Sequence, residues 1–193
     1  ISAILQKRKS WRKNLGSIEI IESNGKIVVE DKIPTLKIID PTLSRQLVSE
    51  AMILYGNLIS DYTKKNNIAV PYRVQESKIN VCNETIKPSE NNVLKNFKLK
   101  KRLGKTYYSI CPMKHKSLGL SSYIHATSPI RRYSDLLVHY QLIRHLNDKV
   151  LISKEVVEEI IQDINNLSRQ NIMRYREDQK KLLYKWFENN SYK

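Results

Sequence analysis

Apolar and polar positions change period several times along the 193 residues, and each change predicts an element. Residues 1–13 set Ile4, Leu5 and Trp11 among many cations and read as the end of a basic helix that Asn14 and Gly16 close. Two β-branched runs, residues 17–21 and 26–30, flank Ser23-Asn24-Gly25 and predict a hairpin that turns on Asn-Gly. Asp40-Pro41 predicts a helix start. In that helix Leu43, Leu47, Ala51, Leu54, Tyr55, Leu58 and Tyr62 share one stripe at helical spacing and are expected in the core. Glu50, Asn57 and Asp61 lie on the neighbouring stripe, which reads as a solvated face.

From Val70 to Leu99 the pattern weakens around Pro71 and Pro88 and predicts loops around short elements. Residues 106–110 read as a strand, and Gly119, Ser121 and Ser122 as a turn. A helix is predicted from Pro129 through Leu136, Leu137, Tyr140 and Ile143 to about Leu146. Residues 147–149 break it, and Ser153 caps a last long helix. Its stripe runs Val156, Val157, Ile160, Ile161, Ile164, Leu167, Ile172, Tyr175, Leu182, Leu183 and Trp186. No repeat, low-complexity tract or flexible linker interrupts the chain. The expected fold is α+β and helix-rich in its second half, with a short β-hairpin and additional strands.

Charge changes this picture more than composition does. Lys and Arg number 34 against 19 Asp and Glu, a formal charge of +15 with a pI near 9.8. Such an excess favours a polyanionic partner, and nucleic acid is the better reading than a membrane surface. No apolar run nears the ~20 residues that span a bilayer. No signal peptide is evident, and the start at Ile1 reads as a piece of a longer chain. Cys82 and Cys111 stand far apart, which suggests a reducing compartment with both packed as small apolar residues. His115, His125, His139 and His145 lack the i, i+4 spacing of a helical metal site.

The richest chemistry lies between Tyr123 and His139. Ser128 followed by Pro129 predicts a capped helix start. Arg131 and Arg132 then fall in the first turn, where the positive end of the helix dipole disfavours cations. An anion between them and the free amides removes that conflict, and phosphate is the usual one. Arg131 and Asp135, four residues apart, face each other on such a helix. The pair reads either as a surface ion pair worth a few tenths of a kcal/mol, or as Asp135 orienting an arginine whose fork grips phosphate.

Tyr123, residues 127–133 (Thr-Ser-Pro-Ile-Arg-Arg-Tyr), Asp135 and His139 resemble the C-terminal signature of the ribonuclease II and ribonuclease R family. Residues 48–53, Asn57 and residues 71–74 resemble the preceding helix of its RNB catalytic domain, and residues 9–17 its lead-in. The resemblance implies that residues 1–193 form the C-terminal half of that domain. It implies processive 3′-to-5′ hydrolysis of single-stranded RNA to nucleoside 5′-monophosphates. Arg131 is then the catalytic arginine on the scissile phosphate, with Ser128 and Arg132 on the RNA backbone and Pro129 and Asp135 as structural support. Glu50 fits a position that anchors the terminal nucleotide, and Glu177 a second one. Tyr123 and Tyr133 are the aromatics expected to meet bases, while Tyr55, Tyr62 and Trp186 are expected in the core.

The same resemblance implies Mg²⁺ on a cluster of aspartates, and here the chain departs from the pattern. Asp31, Asp40 and Asp61 are isolated, so no metal ligands are assigned. The OB-fold RNA-binding modules of the family are also missing from this sequence, and the isolated chain is expected not to hydrolyse RNA. The competing reading is a non-catalytic RNA-binding module that has lost the metal site. A helix-turn-helix DNA reader is weaker, because the exposed side chains after Pro129 suit phosphates rather than bases. The expectation is a monomer in the bacterial cytoplasm, with an organelle as the alternative. Ribonuclease II-like stalling at duplexes and ribonuclease R-like passage through them both stay open.

Overall fold

Helix α1 (Ser2–Asn14) turns Leu5 and Arg12 inward from an otherwise exposed, basic surface. It ends as a glycine-capped helix. Gly16 takes φ +85°, while the amides of Gly16 and Ser17 donate to the carbonyls of Lys13 and Arg12, both at 3.0 Å. The structure is a computed structural model that describes residues 2–18, 24–31, 33–39, 42–77, 98–99 and 103–190. Residues 19–23, Asp40-Pro41, Cys82 and Pro88 therefore lie outside the described residues.

The hairpin forms with a different turn from the one expected. Strands β1 (Asn24–Glu30) and β2 (Ile33–Ile39) pair antiparallel, with Asn24 opposite Ile39 and Glu30 opposite Ile33. Asn24 and Gly25 thus lie in a strand. The reversal falls after Glu30, where Asp31 adopts φ +50°. A two-residue loop needs positive φ, and Asp tolerates it. The pairing joins the apolar run at 26–30 to the one at 33–39, which holds more β-branched residues than 17–21 offers.

Helix α2 (Leu43–Lys65) starts at Thr42, whose Oγ1 accepts from the Arg45 amide at 3.3 Å. Its faces reverse the expectation. Leu43 is 60% exposed and Leu58 57%, and Ala51, Tyr55 and Tyr62 are exposed as well. Glu50, Asn57, Ser60 and Thr63 are the buried side chains. The reason is that the neighbours on this side are polar: Ser60 donates to Ser122 at 2.6 Å, and Thr63 meets the Tyr72 hydroxyl at 3.2 Å. Asp61 does stay exposed and pairs with Lys64 at 2.8 Å. Gly56 lets the helix touch the chain opposite, since a Cβ there would lie 2.3 Å from the Ile124 carbonyl oxygen.

Strands β3 (Tyr72–Ser77) and β4 (Leu103–Ser109) pair antiparallel, with Tyr72 opposite Ser109 and Gln75 opposite Thr106. The segment holding Tyr123 and Ile124 runs beside β3, where the Arg73 amide donates to the Tyr123 carbonyl at 2.8 Å. Val70, Tyr72 and Val74 meet Ile124, Ala126 and, from helix α3 (Tyr133–Leu146), Val138 and Leu142 in one apolar cluster. Leu137 joins Tyr108 with Val157 and Ile161 of helix α4 (Lys154–Asn190) in a second.

Buried Gln141 ties α3 to the chain ahead of α4, donating to the carbonyls of Ala69 and Ile152, each at 3.0 Å. Helix α4 begins as expected, with Ser153 capping the Val156 amide at 3.5 Å. Its apolar stripe is mostly not core. Val157 and Ile161 are buried, whereas Val156, Leu167, Ile172, Tyr175 and Leu183 are exposed. A helix of 37 residues is roughly 55 Å long, more than one packed layer can cover. It rests on β4 near its start and meets the hairpin near its end, where Gln179 reaches the Ile27 carbonyl at 3.4 Å. Cys111 is exposed, against the expectation of packing, on the bend that follows β4. The fold is α+β, with helices dominant and, among the described residues, two small antiparallel sheets.

Candidate phosphate-binding turn

The run from Ser128 forms a turn before the helix instead of the helix itself. The Ser128 carbonyl accepts from the amides of Arg131 at 3.2 Å and Arg132 at 3.0 Å. Arg132 is extended (φ −126°, ψ 113°) and occupies the N-cap position, so α3 starts at Tyr133. The expected helix from Pro129 is therefore shortened by a turn, and Ser128 does not cap it. Pro129 fits the turn as it would have fitted a helix start, because both need φ near the value its ring imposes.

This shift exchanges the arginines. Asp135 pairs with Arg132, not with Arg131 as the i, i+4 spacing suggested. Arg132 Nε donates to both carboxylate oxygens at 2.9 Å and Nη2 to Oδ2 at 2.7 Å. The Ser128 amide donates to the same Oδ2 at 2.8 Å. Asp135 is 0% exposed and sits in the first turn of α3, where a negative charge suits the helix dipole. One carboxylate thus holds the turn closed and the Arg132 fork in place. Ile130 and Arg131 are carried outward on its apex. Both are exposed, and among the described residues the Arg131 side chain makes no hydrogen bond or ion pair.

Behind the turn lies a buried polar floor that the sequence did not signal. Ser134 lies 3.1 Å from Asp135 Oδ1 and 3.0 Å from the Tyr108 hydroxyl, which in turn meets His125 Nδ1 at 2.9 Å. Asn165 of α4 grips the Tyr108 backbone at both N–H and C=O, each at 2.8 Å. Arg73 stacks over the Tyr108 ring at 4.6 Å and hydrogen-bonds Thr106 Oγ1. His139 fixes the strand segment by bonding the Ala126 carbonyl at 2.7 Å. Burial holds the His115 and His125 imidazoles down to about 4, with Arg73 near both and Arg132 near His125 pushing the same way. Burial also pushes the Tyr123 hydroxyl up and the Arg73 guanidinium down.

The remaining expected site residues separate. Tyr123 is 6% exposed, and its ring meets the edges of His115 at 5.6 Å and His125 at 5.4 Å, so it supports the floor and offers no open face. Tyr133 is exposed beside the turn. Glu50 is buried in a second clamp: Arg12 Nε donates to its Oε1 at 2.9 Å, Arg12 Nη2 to its Oε2, and Arg12 Nη1 to the Leu118 carbonyl at 2.9 Å. Arg8 adds a bond to Asn57 Oδ1 at 2.7 Å. Glu50 thus fastens α1 to α2. Glu177 is exposed on α4 and makes no ion pair among the described residues.

A divalent metal does not fit the two clamped carboxylates. Both oxygens of Asp135 and of Glu50 are held by arginine forks, which neutralise the charge a hard cation needs. Among the described residues no three His, Cys, Asp or Glu side chains are grouped to hold a metal ion.

The family model of the RNB domain matches residues 1–148. The chain belongs to the RNB-domain family. An uncharacterized ribonuclease of Synechocystis is 33% identical over 167 residues, which is 86% of this chain and 25% of that protein. The Dss1 exoribonuclease of Candida glabrata superposes over 100% of this chain and 26% of its own, with TM-score 0.86 and 26% identity. The RNase R of Mycoplasma genitalium, solved with ribose methylated single-stranded RNA, shares the fold over 98% of this chain and 35% of its own at TM-score 0.83 and 22% identity. The chain therefore spans about a quarter of the curated RNB protein with which it aligns over most of its length.

Proposed function

We propose that this RNB-family chain is an RNA-binding module that grips single-stranded RNA by its phosphates and does not itself cut it. The observation that carries this reading is the contrast at the turn. Arg132 is neutralised by a buried carboxylate, while the Arg131 side chain is exposed and, among the described residues, unpaired on the apex that this pair braces. A guanidinium with no internal partner, on a rigid support, is preorganised for a bidentate contact with phosphate oxygens. The free Ser128 hydroxyl and exposed Tyr133 flank it. RNB relatives bound to RNA favour that polyanion over others, and the net charge of +15 suits a polyanion in general.

A second reading follows from the chain's share of its relatives' length. Joined to an aspartate cluster contributed from outside these residues, the turn would present the scissile phosphate of a processive 3′-to-5′ exoribonuclease. Mg²⁺ bound on that cluster would supply the hydrolytic water's activation. Residues here would bind and orient: Arg131 on the phosphate, Arg132 and Asp135 beneath it. Fluorescence anisotropy with labelled single-stranded RNA, followed by gel analysis of the same RNA in Mg²⁺, tests the module, and the same assay on the chain joined to that aspartate cluster, where shortening is expected, tests the second reading. Binding without shortening supports the module. Shortening that persists in purified chain overturns it, and loss of no affinity in Arg131→Ala removes the assigned contact.

A further inference from the structure

Asn165 does for β4, with one side chain, what a third strand would do. Arg73 and Tyr108 face each other across β3 and β4, and the Arg73 amide turns away from that pair to donate to the Tyr123 carbonyl at 2.8 Å. By the alternation of an antiparallel ladder, the N–H and C=O of Tyr108 turn away as well, toward the edge of β4 that no described strand covers. There the Asn165 carboxamide meets both: Oδ1 accepts from the Tyr108 amide and Nδ2 donates to its carbonyl, each at 2.8 Å. A carboxamide offers a donor and an acceptor side by side, the same set as a peptide unit. Val157 and Ile161 lie two turns and one turn before Asn165 on the same stripe of α4, and both pack with Tyr108.

These contacts differ in kind. Apolar packing holds α4 on the sheet without fixing its register, because it has no direction. Two hydrogen bonds from one side chain hold the Tyr108 backbone within a narrow range of length and angle. That position matters beyond β4. The Tyr108 hydroxyl accepts from Ser134 Oγ at 3.0 Å, and Ser134 Oγ lies 3.1 Å from Asp135 Oδ1. Asp135 in turn holds the Ser128 amide at 2.8 Å and the Arg132 fork, which together close the turn. A continuous series of contacts thus runs from Asn165 to the base of the apex that carries Arg131. Its members come from α4, β4, α3 and the turn, and each non-covalent step is at hydrogen-bond distance.

We infer that Asn165 is a positioning residue for the phosphate turn: by fixing Tyr108 it sets where Ser134 and Asp135 hold the apex, and with it the Arg131 guanidinium. The inference rests on the phosphate-binding reading of Arg131. It makes the grip on phosphate conditional on the docking of α4, a helix that lies beyond the residues 1–148 matched by the RNB model. Loss of Asn165 leaves two backbone groups of Tyr108 without partners, and β4 must move outward to bring them to water. A shift of about 1 Å is enough to part the Tyr108 hydroxyl from Ser134.

The test compares the purified chain with two variants. Asn165→Leu has similar volume and no hydrogen-bonding group; Tyr108→Phe keeps the Asn165 grip and removes the hydroxyl. Binding of labelled oligoadenylate, read by fluorescence anisotropy, should weaken about three- to tenfold in each. Amide hydrogen exchange at Ser128 should quicken in each, while Ser60 and Thr63, buried in α2, keep their protection. Loss of protection that reaches α2 means a general structural role and overturns the inference, as does unchanged exchange at Ser128. A double-mutant cycle shows whether the effect passes through Arg131: in an Arg131→Ala background, Asn165→Leu should cost almost no further affinity. An equal cost in both backgrounds overturns the inference. So does a Tyr108→Phe variant that binds as tightly as the parent chain. If Arg131→Ala weakens nothing, or the parent chain does not bind, the phosphate reading fails, and exchange at Ser128 in Asn165→Leu still decides whether α4 positions the turn.

Discussion

The two arginine–carboxylate clamps and the turn apex between residues 129 and 131 use charge in opposite ways. In the clamps, Arg132–Asp135 and Arg12–Glu50, the carboxylates are buried and each of their oxygens meets a guanidinium, although Arg132 itself keeps some contact with solvent. One clamp is local, three residues apart on the approach to α3; the other joins α1 to α2 across 38 positions. At the apex Arg131 has solvent on its side chain and no internal partner among the described residues. Clamped arginines hold backbone in place and have little capacity left for a ligand. The unclamped one contributes almost nothing to folding and keeps its full hydrogen-bonding capacity.

The largest effect should come from breaking the local clamp. Asp135→Ala strands Arg132, the Ser128 amide and Ser134 without their acceptor, and removal of one partner from a buried pair costs about 3–5 kcal/mol. Urea denaturation should show that loss, and a change below about 1 kcal/mol would mean the pair does not brace the turn. The long-range clamp should be somewhat more forgiving when only its charge is removed. Glu50→Gln keeps the shape and one acceptor for Arg12, and is expected to cost about 2–3 kcal/mol, the worth of charge-assisted hydrogen bonds. Equal losses in Glu50→Gln and Glu50→Ala would show that charge is not what joins α1 to α2.

Acidification tests the floor on which the local clamp rests. His115 and His125 hold folded-state values near 4 against an ordinary 6.5, so the unfolded chain binds more protons between those limits. Their contribution is complete above pH 6.5 and is lost as pH falls toward 4. The melting temperature should therefore drop across that window, and His125→Asn should flatten the slope. The smallest stability effect belongs to the apex. Arg131→Ala should change unfolding free energy by less than about 0.5 kcal/mol. It should still lower the salt dependence of RNA binding by about one phosphate contact. A stability loss comparable to that of Asp135→Ala would erase the distinction between clamp and apex.

Much of this was legible in residue order. The helices after residue 42 and from Ser153, the strand near residue 106 and the glycine closure of α1 all follow from spacing and cap chemistry. The dense run from Tyr123 to His139 located the candidate site, because a motif with Pro, paired arginines and a following Asp is local. Partner choice within it was not legible. A helix from Pro129 matches Arg131 to Asp135, and only the turn over residues 128–132 gives Asp135 to Arg132. Tyr108, Ser134 and Arg73 escaped notice because each is brought to His125 by a different element. The α2 stripe misled for a related reason: periodicity finds the faces of a helix, but burial depends on what lies opposite each one.

By itself the sequence determined the secondary-structure periods, the excess of basic residues and the place of the Thr-Ser-Pro-Ile-Arg-Arg run, all of which depend on interactions between near neighbours or on charge alone. Tertiary structure decided which carboxylate meets which arginine, which face of α2 is inside and which side chains gather around Tyr108. These are questions of which donor fills which lone pair in a buried space, and only the fold brings those donors together.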